Sequence, residues 1–373
     1  MKTHDRRVRL TPFGSLFALA LLFACSDGRV TPEVIVFSGE ANRLNAYAPY
    51  DGDEKQTVIP SAADDPAAGR DINAQICFNP DGSRRFIAGE DTNQPDPPQG
   101  WGYFQLSGED VGFLSAVQIG KLTPTYQGSL DNAENYGCGF LSDGRLVTTD
   151  VGDQASGPGD GQLILWYPPF DSFEVSYCKL DVEIGTAGGI YVDAEDHIYL
   201  TSARVAPGVY RYDPPFPTSG DAAGGCGRRD STGAPLADAI QRTLFIRSDS
   251  NIQTPNAIVP APGGGFYISS VINGVIAQYS DQGTFVRRVL EPPAGETLGP
   301  EPFSTGTPLG LGIDSQGTLY YADIGIVLRG GSIGPGPRTG TVRKIRFVDG
   351  EPQPPETMDR GLNFPDGIGI LEP

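Results

Sequence analysis

Oxygen-bearing side chains stand at a recurring place in this chain, at the start or end of short apolar runs. Asn135, Asn256 and Asp366 do so in Asn135-Tyr-Gly-Cys, Pro255-Asn-Ala-Ile and Pro365-Asp-Gly-Ile. Amide and carboxylate oxygens gathered round one point are the donor set of a hard cation such as calcium. A carboxylate beside a polarised carbonyl can also serve as a general base. A second group, Glu90, Asp150, Arg204 and Asp323, follows apolar runs, and Asn73 opens another. For any single residue the plain alternative is that Asn and Asp end strands and shape turns. The chemistry therefore depends on whether the chain brings the starts of some runs beside the ends of others.

The elements that would do this are legible in Gly306–Ile326, GTPLGLGIDSQGTLYYADIGI. It reads as a strand over Pro308–Asp314, a tight turn at Ser315–Gly317 and a second strand over Thr318–Ala322; short apolar runs bounded by Gly, Pro and Asp are the hairpin signal. Similar first strands begin at Asn73, Asn135, Ala187, Pro255 and Pro365, about fifty to seventy residues apart. Second strands follow at Arg85, Leu146, Ile198, Phe266 and Leu319, and third strands at Gly102, Gln162, Gly208, Gly274 and Gly340. At the N-terminal side, Val34–Ser38 and Arg43–Ala48 read as second and third strands with no first strand before them, whereas Pro365–Leu371 is a first strand with nothing after it. One unit assembled from both ends closes a ring and removes the free sheet edges within it. The expected fold is all-β, a six-bladed β-propeller over residues 34–373 with one blade closed by both termini; two β-sandwiches are the competing arrangement. In such a ring, first-strand starts and second-strand ends share one face. That places Asn135, Asn256 and Asp366 nearest the axis as candidate metal ligands, Asp366 also as candidate catalytic base, and Asn73, Glu90, Asp150, Arg204 and Asp323 around the mouth.

Composition agrees with many short strands. Gly (50) and Pro (33) are abundant while Val, Ile, Leu, Tyr and Phe are spread throughout, and no long stretch carries the 3.6-residue apolar period of a helix. The formal net charge of −19 repels phosphate backbones, so nucleic acid is not an expected partner. Lys2, Arg6, Arg7 and Arg9 precede a short apolar run that ends in Leu22-Phe23-Ala24-Cys25, the layout of an export signal. The junction resembles a bacterial lipobox, which implies a signal peptide over 1–24, acylation of Cys25, a lipidated linker over 25–33, and anchoring at the periplasmic face of the outer membrane or the cell surface. Four cysteines remain, Cys77, Cys138, Cys178 and Cys226, an even number suited to two disulfides in an oxidising compartment. Of the three possible pairings we favour Cys77–Cys138 and Cys178–Cys226, because each joins neighbouring repeats.

The repeat as a whole resembles the six-bladed propellers of the NHL-repeat, senescence-marker protein and gluconolactonase-like superfamily. Two motifs carry the resemblance to the gluconolactonase-like enzymes. Thr254-Pro-Asn256-Ala-Ile258 is similar to their Pro-Asn-Gly-Ile motif, and Phe364-Pro-Asp366-Gly-Ile368 to their Pro-Asp-Gly motif. The resemblance implies that Asn256 is a metal ligand and Asp366 a ligand and base, with calcium or another divalent cation polarising a lactone or ester carbonyl. Those motifs lie in successive blades of the enzymes, whereas here an intervening blade offers Leu309, and their early Glu ligand has no counterpart. Thr307-Pro-Leu-Gly-Leu with Leu319-Tyr-Tyr-Ala-Asp323 also resembles strictosidine-synthase-like propellers, whose activities differ widely.

Other chemistries find little support. His197 is the one His beyond the export segment and falls at a hairpin turn on the face opposite the mouth, which argues against a Ser-His-Asp triad and against zinc. Gly330–Gly340 lacks the Lys-Ser/Thr ending of a phosphate-binding loop, and no nucleotide, haem or flavin is expected. Two functional readings result. One is an anchored propeller that binds a small molecule or cation at its mouth, with lactone or ester hydrolysis as the enzymatic form. The other is a non-catalytic module that binds protein or glycan components of the envelope through Asp91–Trp101, Asp150–Gly161 and Asp213–Gly233.

Overall fold

The computed structural model describes residues 34–50, 54–67, 69–90, 100–123, 135–151, 161–182, 184–204, 206–220, 226 and 240–372. The export segment, the Cys25 junction and most of the three candidate contact loops lie outside the described residues. The chain divides into Met1–Pro32, none of which is described, and a propeller unit, Glu33–Pro373.

Among the described residues there is no helix. Six four-stranded antiparallel sheets are formed, each in the order inner, second, third, outer. The inner strands are Ile72–Phe78, Asn135–Phe140, Ala187–Val192, Pro255–Pro260, Pro308–Ile313 and Ile368–Leu371, here blades one to six. Blade six is the composite expected from the sequence: Ile368–Leu371 pairs with Ile35–Glu40, with Val36 opposite Ile370 and Ser38 opposite Ile368. Each inner strand packs beside that of the next blade, and the ring closes through blade six onto blade one.

The alternation along each strand sends large apolar side chains into the seams between blades, and each seam holds its own buried cluster. Phe37 of blade six meets Phe86 and Phe104 of blade one, and Trp101 of blade one shares a cluster with Trp166 of blade two. Both tryptophans are buried packing residues. Full burial of such a side chain contributes about 1.5–3 kcal/mol, so the seams are the main source of cohesion between sheets.

Nearer the axis the seams are polar. Thr149 Oγ1 accepts the Gly137 N–H at 2.7 Å and donates to the Gly188 carbonyl of the next blade at 2.6 Å. Ser269 repeats this between Ala257 N (2.9 Å) and Leu309 O (2.8 Å), and Thr201 donates to Asn256 O. A hydroxyl on the second strand thus ties its own inner strand to the next one. Two disulfides add covalent ties: Cys77–Cys138 joins the inner strands of blades one and two, and Cys178–Cys226 joins the outer strand of blade two to Cys226 of blade three.

Candidate functional site

The start of each inner strand has a recurring irregularity. In blades one to five the pairing with the second strand shifts between Asn73 and Ile76, Asn135 and Cys138, Ala187 and Ile190, Pro255 and Ile258, and Pro308 and Leu311. In blades two to five the second residue of the shifted segment forms one column, Tyr136, Gly188, Asn256 and Leu309, with Asp366 in the same place in Pro365-Asp-Gly-Ile. A bulge re-aims the side chain next to it, and in a ring of inner strands this column rims the bore. Tyr136 of blade two confirms the placement. It packs against an apolar cluster of Val271, Leu309, Ile324 and Ile326 from blades four and five, on the far side of the ring. Its hydroxyl also feels the charge of Asp366 of blade six. The phenol ring therefore lies across the opening.

The predicted residues fall into two sets. Asp366 and Asn73 are brought together. Asp366 is 2% exposed; its Oδ1 accepts the Gly367 N–H at 2.6 Å, and the Asn73 amide donates to its Oδ2 at 3.1 Å and to Ile72 O at 3.0 Å. Asn256, in the axial column, keeps a buried amide oxygen with no partner among the described residues. The others are held elsewhere. Asn135 stands one residue short of the axial column, and its amide donates to Gly100 O at 2.8 Å. Glu90 binds Lys121 at 2.8 Å and accepts from Gln118 at 2.7 Å. Asp323 accepts from Thr307 N, Gly325 N and Thr341 Oγ1 at 2.7–2.9 Å, so it organises the turn at its strand end. Asp150 is fully buried opposite Asn135, and Arg204 is exposed at a strand exit.

Two residues that sequence reasoning passed over define the mouth. Tyr136 is the first, and its signal was available: Asn135 aligns with Pro255, Pro308 and Pro365, which leaves Tyr136 in line with Asn256, Leu309 and Asp366. Its hydroxyl is buried without a partner among the described residues. Burial, and then the Asp366 charge, raise its pKa well above the ordinary tyrosine value, so it is a neutral O–H donor at neutral pH. Gly39 is the second. A Cβ there would collide with the Asp366 carboxylate, so a glycine on the second strand of blade six makes room for it.

These side chains supply only part of a hard cation's shell, which backbone carbonyls or water would have to complete. Calcium takes six to eight oxygens, whereas the axial column supplies one carboxylate, one amide and one phenol among Gly188 and Leu309. Among the described residues, the His and carboxylate group that could hold a metal is Asp193, Glu195 and His197, with ligand atoms within 4.8 Å of one another. It lies at the inner-to-second turn of blade three, on the opposite face. There Asp193 Oδ1 already accepts the Glu195 and His197 N–H groups and Oδ2 meets His197 Nδ1 at 2.9 Å.

No protein-family model matches the chain, and no curated protein matches it in sequence. Solved structures do resemble it. A chain of a nidogen/laminin complex is 12% identical with a TM-score of 0.54, over 90% of this chain and 98% of that one. A periplasmic gluconolactonase of Pseudomonas aeruginosa is 13% identical with a TM-score of 0.51, over 91% and 99%. A protein of unknown function from Bacteroides caccae is 12% identical with a TM-score of 0.50, over 91% and 99%. At these identities the likeness shows the fold.

Proposed function

We propose that the propeller binds a small organic ligand of the lactone or ester class at the axial mouth, and that Asp366 promotes its hydrolysis. The observation that carries this reading is the pair of buried polar atoms at the bore, the Tyr136 hydroxyl and the Asn256 amide oxygen, which have no partner among the described residues. Each buried polar atom without a partner costs about 1–3 kcal/mol, a cost that a ligand acceptor at Tyr136 and a ligand hydroxyl at Asn256 remove. The apolar wall of Val271, Leu309 and Ile324 suits the hydrocarbon face of a ring. A gluconolactonase is among the proteins that share the fold.

In this reading Tyr136 donates to the carbonyl oxygen. Asp366, oriented by Gly367 N–H and Asn73, takes a proton from an attacking water. The oxygen–carbon bond to water forms, the ester C–O bond breaks, and Asp366 returns the proton to the departing alkoxide. No step is assigned to a metal ion. The test is a panel of lactones and aryl esters with and without chelator, comparing wild type with Asp366→Asn and Tyr136→Phe. Loss of a general base lowers kcat about 100-fold or more, without an effect of chelator. Equal rates for wild type and Asp366→Asn would remove hydrolysis and leave binding without turnover. That second reading is favoured by the way Tyr136 and the Val271–Leu309 cluster close the bore.

The proposal includes export and acyl anchoring at Cys25. The two disulfides, which persist in oxidising compartments, support export; the anchor rests on the Leu22-Phe23-Ala24-Cys25 junction alone.

A further inference from the structure

A groove of about 570 Å³ runs beside the mouth over blade four. One wall is the turn after the second strand of that blade, with Ile272 and Asn273, and the other is the segment carrying Pro292, Pro293, Leu298 and Phe303. The volume lies within the range of small-molecule sites, roughly 300–1,000 Å³. Several of its polar side chains have partners. Arg288 binds Glu291 at 2.7 Å and Asn251 at 3.0 Å, Glu296 accepts the Ser304 N–H at 2.9 Å, and Asn273 accepts from Ser270. Between these polar groups the lining offers a ligand the apolar side chains of Ile272, Pro292, Pro293, Ala294, Leu298 and Phe303.

The groove and the axial mouth share one apolar cluster. Leu298 lines the groove and also packs on the Val271–Leu309–Ile324 cluster against which Tyr136 lies. Val271 and Ile272 are consecutive, one in that cluster and the other in the groove wall. The turn is fastened to the inner strand just before Asn256, because Val271 N–H donates to Thr254 O at 3.2 Å and Ile272 N–H to Thr254 Oγ1 at 2.9 Å. The opposite wall is fastened to blade five by Leu328 N–H donating to Gly299 O at 2.6 Å. Polar atoms at the bore and an apolar strip of groove on the other side of the shared cluster fit a ligand with a polar head and a hydrocarbon tail. Resting on the mouth reading above, we infer that the groove takes the alkyl or acyl tail of that ligand, which makes the substrate class a lipophilic lactone or ester.

The test uses the full-length protein and a series of five-membered lactones with alkyl substituents from methyl to octyl, their Kd measured by calorimetry. Each methylene laid in the groove tightens binding about two- to fourfold, from the transfer free energy of one CH₂. Ala294→Trp, at an exposed groove position, should abolish this length dependence and leave the methyl lactone unchanged. Ile272→Ser, on the exposed rim, should weaken it in the same sense. Tyr136→Phe should weaken every member by the same factor. One Kd for all chain lengths, or a length dependence that survives Ala294→Trp, overturns the tail assignment and leaves the groove to a protein partner. Long chains that bind with sensitivity to Ala294→Trp but not to Tyr136→Phe uphold the groove and overturn the mouth. Binding of no member overturns both.

Discussion

Thr149 tests whether the inner ring is held by hydroxyl relays and whether those relays position the site. Its hydroxyl is buried, accepts from Gly137 N and donates to Gly188 O. Thr149→Val keeps the shape and removes both bonds, leaving one N–H and one carbonyl buried between blades two and three. At about 1–2 kcal/mol for each stranded group, the loss is about 2–4 kcal/mol. Unfolding entropy near 2.1 cal/mol/K per residue over the roughly 340 residues of Glu33–Pro373 is about 0.7 kcal/mol/K, so Tm should fall by about 3–6 °C. Thr149→Ser keeps the hydroxyl and loses a methyl, worth about 1 kcal/mol and about 1–2 °C. The assay is calorimetric melting of the three proteins, repeated for Thr201→Val and Ser269→Ala, which occupy the same position in the next two blades. Gly137 adjoins Tyr136, so Thr149→Val should also weaken ligand binding at the mouth while Thr149→Ser does not. Melting temperatures for Thr149→Val and Thr149→Ser within about a degree of each other would refute the relay as a source of stability.

Gly39→Ala should push the Asp366 carboxylate aside, so that lactone turnover falls toward that of Asp366→Asn although the two positions lie at opposite ends of the chain; unchanged turnover would show that Asp366 has no such dependence on Gly39. Reduction of Cys77–Cys138, which spans 61 residues, removes a constraint on the unfolded chain worth about 4 kcal/mol and should lower Tm in proportion. Burial raises the pKa of Tyr47, Tyr212, Tyr320 and Tyr321, with carboxylates nearby adding to it. Their stabilisation is complete below the unfolded tyrosine pKa of about 10 and is lost as pH rises above it; absorbance at the phenolate band should show these rings ionising together with unfolding, and a smooth titration of a folded protein would contradict their burial. Cys25→Ser should abolish incorporation of labelled palmitate, and retained label would place the anchor elsewhere.

The architecture was legible in the chain because a propeller repeats one local pattern. Apolar alternation and turn residues at Asp81-Gly82, Asp143-Gly144 and Gln316-Gly317 mark each hairpin, and the unpaired Val34–Ser38 and Pro365–Leu371 announce their own pairing. Disulfide partners followed from the same repeat. The site was legible only in part. Asn256, Asp366 and Asn73 stood out as oxygen donors, yet the residue that crosses the bore is Tyr136, one place beyond the Asn135 chosen from sequence. A bulge decides which of two neighbours faces the axis, and that is a matter of register between strands rather than of residue type. The company each donor keeps is also tertiary. Glu90 is taken by Lys121, Asp323 by the turn at Thr307, and Gly39 leaves the space that Asp366 fills. The groove over blade four arises from contacts between Ile272, Leu298 and Phe303, segments with no shared local signal. Local periodicity specifies a sheet, but only closure of the ring determines which side chains meet at its centre.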